Sequence, residues 1–251
     1  MKKVILILFL TTCSTALLAQ ETKDNDVDDG TAAKKNIVKL NLPALAFKNI
    51  TVQYERAIAK KITVAGTFRF MPKGTIPFKN SIVKLADDNE IERQLNNLQI
   101  GNTAFMPEIR FYVGKKGAFH GFYLAPYANI ARYSASLLLE YDDNGATKTI
   151  PMAGSVNSFT GGLMLGAQWK LSKALYLDWW ILGPNYGRSN GDINGQKTLT
   201  ASEQQSLRDE LADLDVPLTD FTYDVNGNGA TINFKGPWAG VRSGICIGIN
   251  F

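Results

Sequence analysis

From Asn36 onward apolar and polar residues alternate along most of the chain, the period of two that a β-strand imposes on its two faces. Over 155–171, Phe159, Gly161, Leu163, Leu165, Ala167, Trp169 and Leu171 share one face. Ser158, Thr160, Gly162, Gly166, Gln168 and Lys170 share the other, and Met164 alone breaks it. Over 238–251, Ala239, Val241, Ile245, Ile247, Ile249 and Phe251 alternate with Gly240, Arg242, Gly244, Cys246, Gly248 and Asn250. The pattern recurs at 61–71 and 103–114 and more loosely at 36–42, 46–58, 120–141 and 174–187, which predicts eight strands. Short links at 58–61, 114–118 and 172–174 alternate with long ones at 72–102, 142–154 and 188–237; the first link, near Pro43, is the exception.

The long links carry signals of their own. Ile82, Leu85, Ile91, Leu95 and Leu98 are spaced as on a helix, and Ser202 with Gln205 forms a capping box ahead of Leu207, Leu211 and Leu214. The Asn-Gly pairs of FTYDVNGNGATINF, 221–234, predict a hairpin.

The N-terminus changes the setting. Lys2 and Lys3, the apolar run VILILFL and a small-residue stretch have the order of a secretory signal, with cleavage expected near Ala19 or Gln20. The apolar core is far shorter than the roughly 20 residues that cross a bilayer as a helix. A lipoprotein signal at Cys13 is the alternative, although Leu-Thr-Thr precedes it instead of small residues. Residues 20–35 are polar and read as a flexible leader. The mature chain keeps Cys246 alone, so it forms no internal disulfide. Without Lys2 and Lys3 the formal charge of +4 falls to +2, too little for a nucleic-acid-binding field.

Alternation alone fits a soluble sandwich, a soluble binding barrel or a membrane barrel. A soluble barrel turns its apolar face inward and shows water a face rich in Lys and Glu. Here the polar face is Gly, Thr, Ser, Gln and a few charges of both signs, the composition of a narrow lumen, which leaves the apolar face for lipid. Strand lengths near the roughly 9 to 11 residues of a tilted crossing, and short turns alternating with long loops, agree. Phe47, Tyr54, Phe70, Phe111, Phe122, Trp169, Trp179, Trp238 and Phe251 lie near strand ends, as interfacial girdles do.

With the signal segment and the ending Ile-Gly-Ile-Asn-Phe, the chain over 36–251 resembles small bacterial outer-membrane β-barrel proteins of the eight-stranded OmpA type. The resemblance implies an all-β fold, an antiparallel up-and-down transmembrane β-barrel with short helices and a hairpin in long extracellular loops. It also implies periplasmic termini, so that the 20–35 leader is a flexible periplasmic one, an insertion signal at Ile247, Ile249 and Phe251, and handling by the barrel-assembly machinery.

An eight-stranded lumen is filled by side chains. Alternation sends Lys39, Glu55, Arg69, Glu108, Arg110, Asp178 and Arg242 inward, with Arg69 and Arg242 higher than the rest. Charges withdrawn from water need partners, so these residues are expected to form a network that plugs the lumen, with a narrow ion path as the alternative. Enzymatic barrels need a general base, most often histidine. The single histidine, His120, falls beside the short turn with no nucleophile pattern near it, and Cys246 falls among glycines on the small-residue face. The run from Asp224 to Gly229 matches the start of a calcium loop, but Lys235 occupies the position of the bidentate Glu, which favours a hairpin. No catalytic residue, metal ligand or cofactor motif is assigned.

The function expected is a non-enzymatic integral outer-membrane barrel with a plugged lumen. Its partners would be outer-membrane lipid and an unknown surface partner reached through 72–102 and 188–237, with no nucleic acid. The alternatives are a narrow channel, a lipid-modifying enzyme and a soluble periplasmic β-barrel binding protein.

Overall fold

The computed structural model describes residues 34–86, 92, 95–212 and 220–251. The expected signal segment with Cys13, nearly all of the leader, Ile91, Leu214 and the side chains of Ile82 and Leu85 lie outside them. The element order is β1 (Asn36–Asn41), α1 (Leu42–Ala46), β2 (Ile50–Ala59), β3 (Ile62–Thr75), α2 (Lys79–Ala86), β4 (Gln99–Tyr112), β5 (Gly121–Asp143), β6 (Ala146–Lys170), β7 (Leu175–Gln196), α3 (Ala201–Ala212), β8 (Asp220–Asn226) and β9 (Gly229–Asn250). Strands β1 to β7 pair antiparallel in sequence order, β7 pairs with β9, and β9 returns to β1, so the sheet closes as a ring of eight strands. Ile37 faces Asn250 and Asn41 faces Cys246 across the closure. Asn36 and Phe251 exchange backbone hydrogen bonds of 3.2 and 2.9 Å at its end. No edge of the ring is left unpaired at this level, which is what closure achieves.

The ring is inside out relative to a water-soluble protein. Its interior holds buried Lys39, Gln53, Glu55, Thr63, Thr67, Arg110, Gln168 and Asp178, while its outer wall leaves Phe159 52%, Leu163 50% and Ile249 60% exposed. Alternation is what produces this, because each strand sends successive side chains to opposite faces. A bulge between Trp180 and Gly183 resets β7 by one residue. Trp180 is therefore buried inside while Leu182, two positions on, is exposed outside, which explains the looser pattern of 174–187.

Several boundaries differ from expectation. The helical turn α1 occupies 42–46, capped by Asn41 Oδ1, which accepts from Ala44 N at 3.2 Å, and Lys48 takes a positive φ before β2 begins. Residues 142–154 are no loop: β5 and β6 run straight through them to a two-residue turn at Asn144 and Gly145, whose φ values of 56° and 81° suit a type I′ hairpin. The proposed contact loops are likewise shorter. Strand β3 extends to Thr75 and β4 starts at Gln99, while β7 continues to Gln196 and β9 starts at Gly229. The expected hairpin forms as β8 and β9 and widens the upper sheet, with Asp220 opposite Lys235.

These upper strand segments escaped the period-two pattern because the polarity of both faces reverses partway along each strand, which breaks the parity set by the lower part. Above the ring, Tyr141, Ile150, Met152, Ala230 and Ile232 on the inner face bury against Leu199 and against Leu207 and Leu211 of α3. The helix starts one capping box earlier than expected. Thr200 Oγ1 accepts from Glu203 N at 3.3 Å and Glu203 Oε2 accepts from Thr200 N at 2.8 Å, whereas Ser202 donates to Asp143 at 2.6 Å. The Thr200-x-x-Glu203 spacing satisfies both N-terminal amides, and Ser202 is thereby freed for the sheet. Lys148 bridges the two elements, with Nζ 2.7 Å from Asp143 and 3.1 Å from Glu203.

The Thr200 amide, then Lys148, hold the Glu203 carboxyl down to about 2, and Lys148, then Ser202, lower Asp143. Carboxyls lowered in the folded state stabilise it fully above their unfolded range, and that contribution is lost as pH falls toward the folded value. Acidification from about pH 5 to about pH 2 should therefore loosen α3, seen as faster hydrogen exchange of the 201–212 amides, and Glu203→Gln should flatten the dependence.

Candidate functional site

Six of the seven predicted inward charges meet in one cluster across the lumen. Lys39 Nζ donates to Glu55, to Asp178 Oδ2 at 2.5 Å and to Gln168 Oε1 at 2.9 Å. Arg110 spreads its donors: Nε to Glu108 at 2.5 Å, Nη1 to Asp178 at 2.7 Å and Glu55 at 3.1 Å, and Nη2 to Gln53 at 2.8 Å. Its planar fork is what lets one cation serve acids from three strands. Arg242 reaches down from β9 to pair with Glu108 and donates to Thr67 at 3.0 Å. Its guanidinium carbon lies 4.0 Å from the Trp180 ring centroid and that of Arg110 lies 4.4 Å from Tyr123.

The remaining lone pairs are met by neutral donors. The Tyr112 hydroxyl lies 2.8 Å from Glu55 and 2.7 Å from Gln168 Oε1, its one proton shared between them, and Thr63 donates to Glu55. Tyr123 and the Trp180 indole donate to Asp178 at 2.8 and 3.1 Å. Tyr112 and Gln168 lay on the inward face of the alternation yet went unassigned, and Trp180 was hidden by the bulge. Size and hydrogen-bonding capacity on the inward parity were the usable signal. Gly166 makes room for this shell, since a Cβ there would collide with the Tyr123 ring.

Arg69, the seventh charge, stays above the cluster. Among the described residues its Nε is buried without a hydrogen-bond partner, as are Arg242 Nε, Gln168 Nε2, Asn129 Oδ1, Ser158 Oγ and Thr160 Oγ1. His120 Nδ1 lies 3.0 Å from the Ala118 carbonyl at the short turn, and among the described residues no hydrogen bond joins it to a serine or cysteine. Cys246 is buried within the lumen beside Trp180 and Met164. In the β8–β9 turn, Asn226 Oδ1 accepts from Asn228 N at 2.9 Å and Asp224 accepts from Asn226 at 3.0 Å, so these oxygens serve the hairpin. No group of three or more His, Cys, Asp or Glu side chains among the described residues is placed to hold a metal. Chemically the cluster is a set of carboxylates each neutralised by a cation, an arrangement that fills and braces a lumen instead of offering a free base or nucleophile.

Outside, Phe47, Tyr54, Phe70, Phe111, Phe122, Trp169, Trp179 and Phe251 are exposed on the wall. Trp238 instead turns toward Tyr133, with ring centroids 5.0 Å apart. No helix among the described residues is long and apolar enough to cross a membrane, which says nothing of crossing by strands.

A closed antiparallel sheet with an ion-paired interior and an apolar exterior defines a class of barrel-like all-β proteins of inverted polarity. Within it, this chain belongs to the family described as a protein of unknown function, DUF3575, whose model matches residues 5–192. No curated protein and no solved structure matches the chain.

Removing one member of the cluster strands its partners. Asp178→Asn should cost about 3 to 5 kcal/mol of unfolding free energy, read by tryptophan emission in denaturant titrations of the folded protein. Adding Lys39→Met should cost less than the sum of the single changes, by at least about 1 kcal/mol. Gly166→Ala should cost about 1 to 3 kcal/mol by displacing Tyr123, whereas Gly161→Ala, which meets open space, should be near neutral.

Proposed function

We propose that this chain is an integral outer-membrane β-barrel protein, non-enzymatic, whose lumen is plugged and whose upper sheet with α3 presents a surface for interaction or envelope integrity. One observation carries the reading: both faces of the sheet change polarity at the same height. Below the row Arg132, Asn157, Asn190 and Lys235, whose members pair in register from strand to strand, the outer face is Ile130, Phe159, Leu163 and Val241, with Arg188 one row down at the boundary, and the inner face is the charge cluster. Above it the outer face is Ser134, Ser155, Asp192 and Asn233, and the inner face is the apolar core under α3. A single solvent would not favour such a reversal. Apolar surroundings below and water above would, because an exposed apolar wall is costly only in water.

The height agrees. From Phe122 to Ile130 the lower part of β5 spans close to the roughly 9 to 11 residues of a tilted crossing. In this reading the short turns are periplasmic, the upper sheet is extracellular, and the exposed Phe251 and Ile249 serve the assembly machinery as an insertion signal. The paired lumenal carboxylates and the position of His120 support the non-enzymatic part.

Fractionation tests the reading. The protein should require detergent for extraction and run with heat-dependent mobility on gels, and extraction by buffer alone would sink it. The folded protein in planar bilayers should leave conductance at the level of the empty membrane; discrete steps would favour a narrow channel. Deleting Phe251 should lower the amount of assembled barrel in cells while leaving refolding in detergent intact.

A further inference from the structure

The row where polarity reverses is also a row of cations. Arg132 on β5 and Lys235 on β9 lie in it, and Arg188 on β7 lies one outward row below, opposite Phe159. All three side chains are exposed; among the described residues Arg132 and Arg188 form no ion pair, and Lys235 has Asp220 as its register partner. Asn157 and Asn190 complete the polar edge. The outward carboxylate of Asp192 stands one row farther from the apolar wall, where it accepts from Asn194 at 2.5 Å.

Arg132, Asn157, Asn190 and Arg188 rim an open groove of about 640 Å³ on the outer wall, whose apolar side is Phe105, Ile130 and Phe159, in the same row as Arg188 and one outward row below Arg132. Strands two apart lie about 10 Å from each other, so two guanidiniums on flanking strands reach a common point over the strand between them. An anion seated there meets two forks and two amides, while whatever is attached to it on the lower side meets aromatic and branched apolar surface. That combination fits a molecule with a phosphate at one end and hydrocarbon at the other. A free anion would leave the apolar half unused.

We infer that the Arg132–Arg188 groove is a seat for a phosphorylated membrane lipid, with the phosphate between the two guanidiniums and the acyl chains along Phe105, Ile130 and Phe159. This rests on the membrane reading above. It adds a specific annular ligand on the β5–β7 side of the barrel, at the outer boundary of the apolar band.

Native mass spectrometry of the detergent-folded full chain tests it, with dioleoylphosphatidic acid, dioleoylglycerol and inorganic phosphate as probes. The wild-type protein should retain the phosphatidic acid at least about tenfold better than the glycerol, and millimolar phosphate should not displace it. The pair Arg132→Ala and Arg188→Ala should erase that preference, as should Arg132→Gln with Arg188→Gln, which keep the bulk. Arg56→Ala, at the opposite end of the wall, should keep it. Equal retention of the two lipids, an unchanged preference in both double variants, or displacement by phosphate alone would overturn the inference. Heat-dependent mobility of each variant separates the two failures. A detergent-dependent, heat-modifiable barrel without phosphate preference overturns the lipid seat alone, whereas a chain soluble without detergent overturns both.

Discussion

All eight strands of the ring reach into one desolvated charge cluster, and the register of the sheet follows from it. Lys39 comes from β1, Glu55 from β2, Thr63 and Thr67 from β3, Glu108 and Arg110 from β4, Tyr123 from β5, Gln168 from β6, Asp178 from β7 and Arg242 from β9. Backbone ladders close the ring but do not choose among registers, because every peptide offers the same donor and acceptor. A slip of one residue in β1, β2, β4, β7 or β9 carries a charge to the apolar wall and leaves buried partners uncompensated, at several kcal/mol for each ion, and a slip in β3, β5 or β6 withdraws a neutral donor or acceptor from them. Cohesion comes from the sheet, and specificity comes from Arg110 having acids on three sides.

The same requirement explains which parts of the molecule the sequence discloses. Strands were legible where the two faces meet opposite surroundings and the inward face is polar, as at 155–171 and 238–251. The inward charges were legible for the same reason, since parity alone places Lys39, Glu55, Glu108, Arg110, Asp178 and Arg242. Which of them touch was not, because contact depends on the tilt and stagger of eight strands, which no single strand encodes. Above Arg132 the pattern dissolves: Leu137, Leu138 and Leu139 read as a continuous run, although Leu138 is exposed and its neighbours pack under α3. A Ser-x-x-Gln and a Thr-x-x-Glu lie two residues apart at 200–205, and only the partners of Ser202 on the sheet decide between them. The bulge at Trp180 likewise has no local signature, yet it decides that a tryptophan donates to Asp178.

Strands β5, β6, β7 and β9 thus belong to two structures at once. Their lower parts form a ring whose interior is held by charge pairing, and their upper parts form a curved sheet whose inner face is closed by α3 and stapled by Lys148, Asp143 and Glu203. No bulge separates the two parts of β5 and β6, whose pairing runs in unbroken register from Gly121 opposite Gln168 to Asp143 opposite Ala146. Displacement of the upper sheet is therefore carried into the wall of the ring.

That continuity bears on where activity can lie. A lumen whose carboxylates are each matched by a cation has little freedom to rearrange, because moving one partner exposes the others to an uncompensated interior. The outer wall carries no such network among the described residues, and there the exposed cations Arg132 and Arg188, with Lys235 opposite Asp220, stand at the level where the sheet changes polarity. On the membrane reading, the charged interior fixes the shape of the barrel and recognition falls to its outside. The inversion that makes the wall apolar also places exposed positive charge at its rim, since a cation on that face is tolerated only where water or a lipid phosphate reaches it.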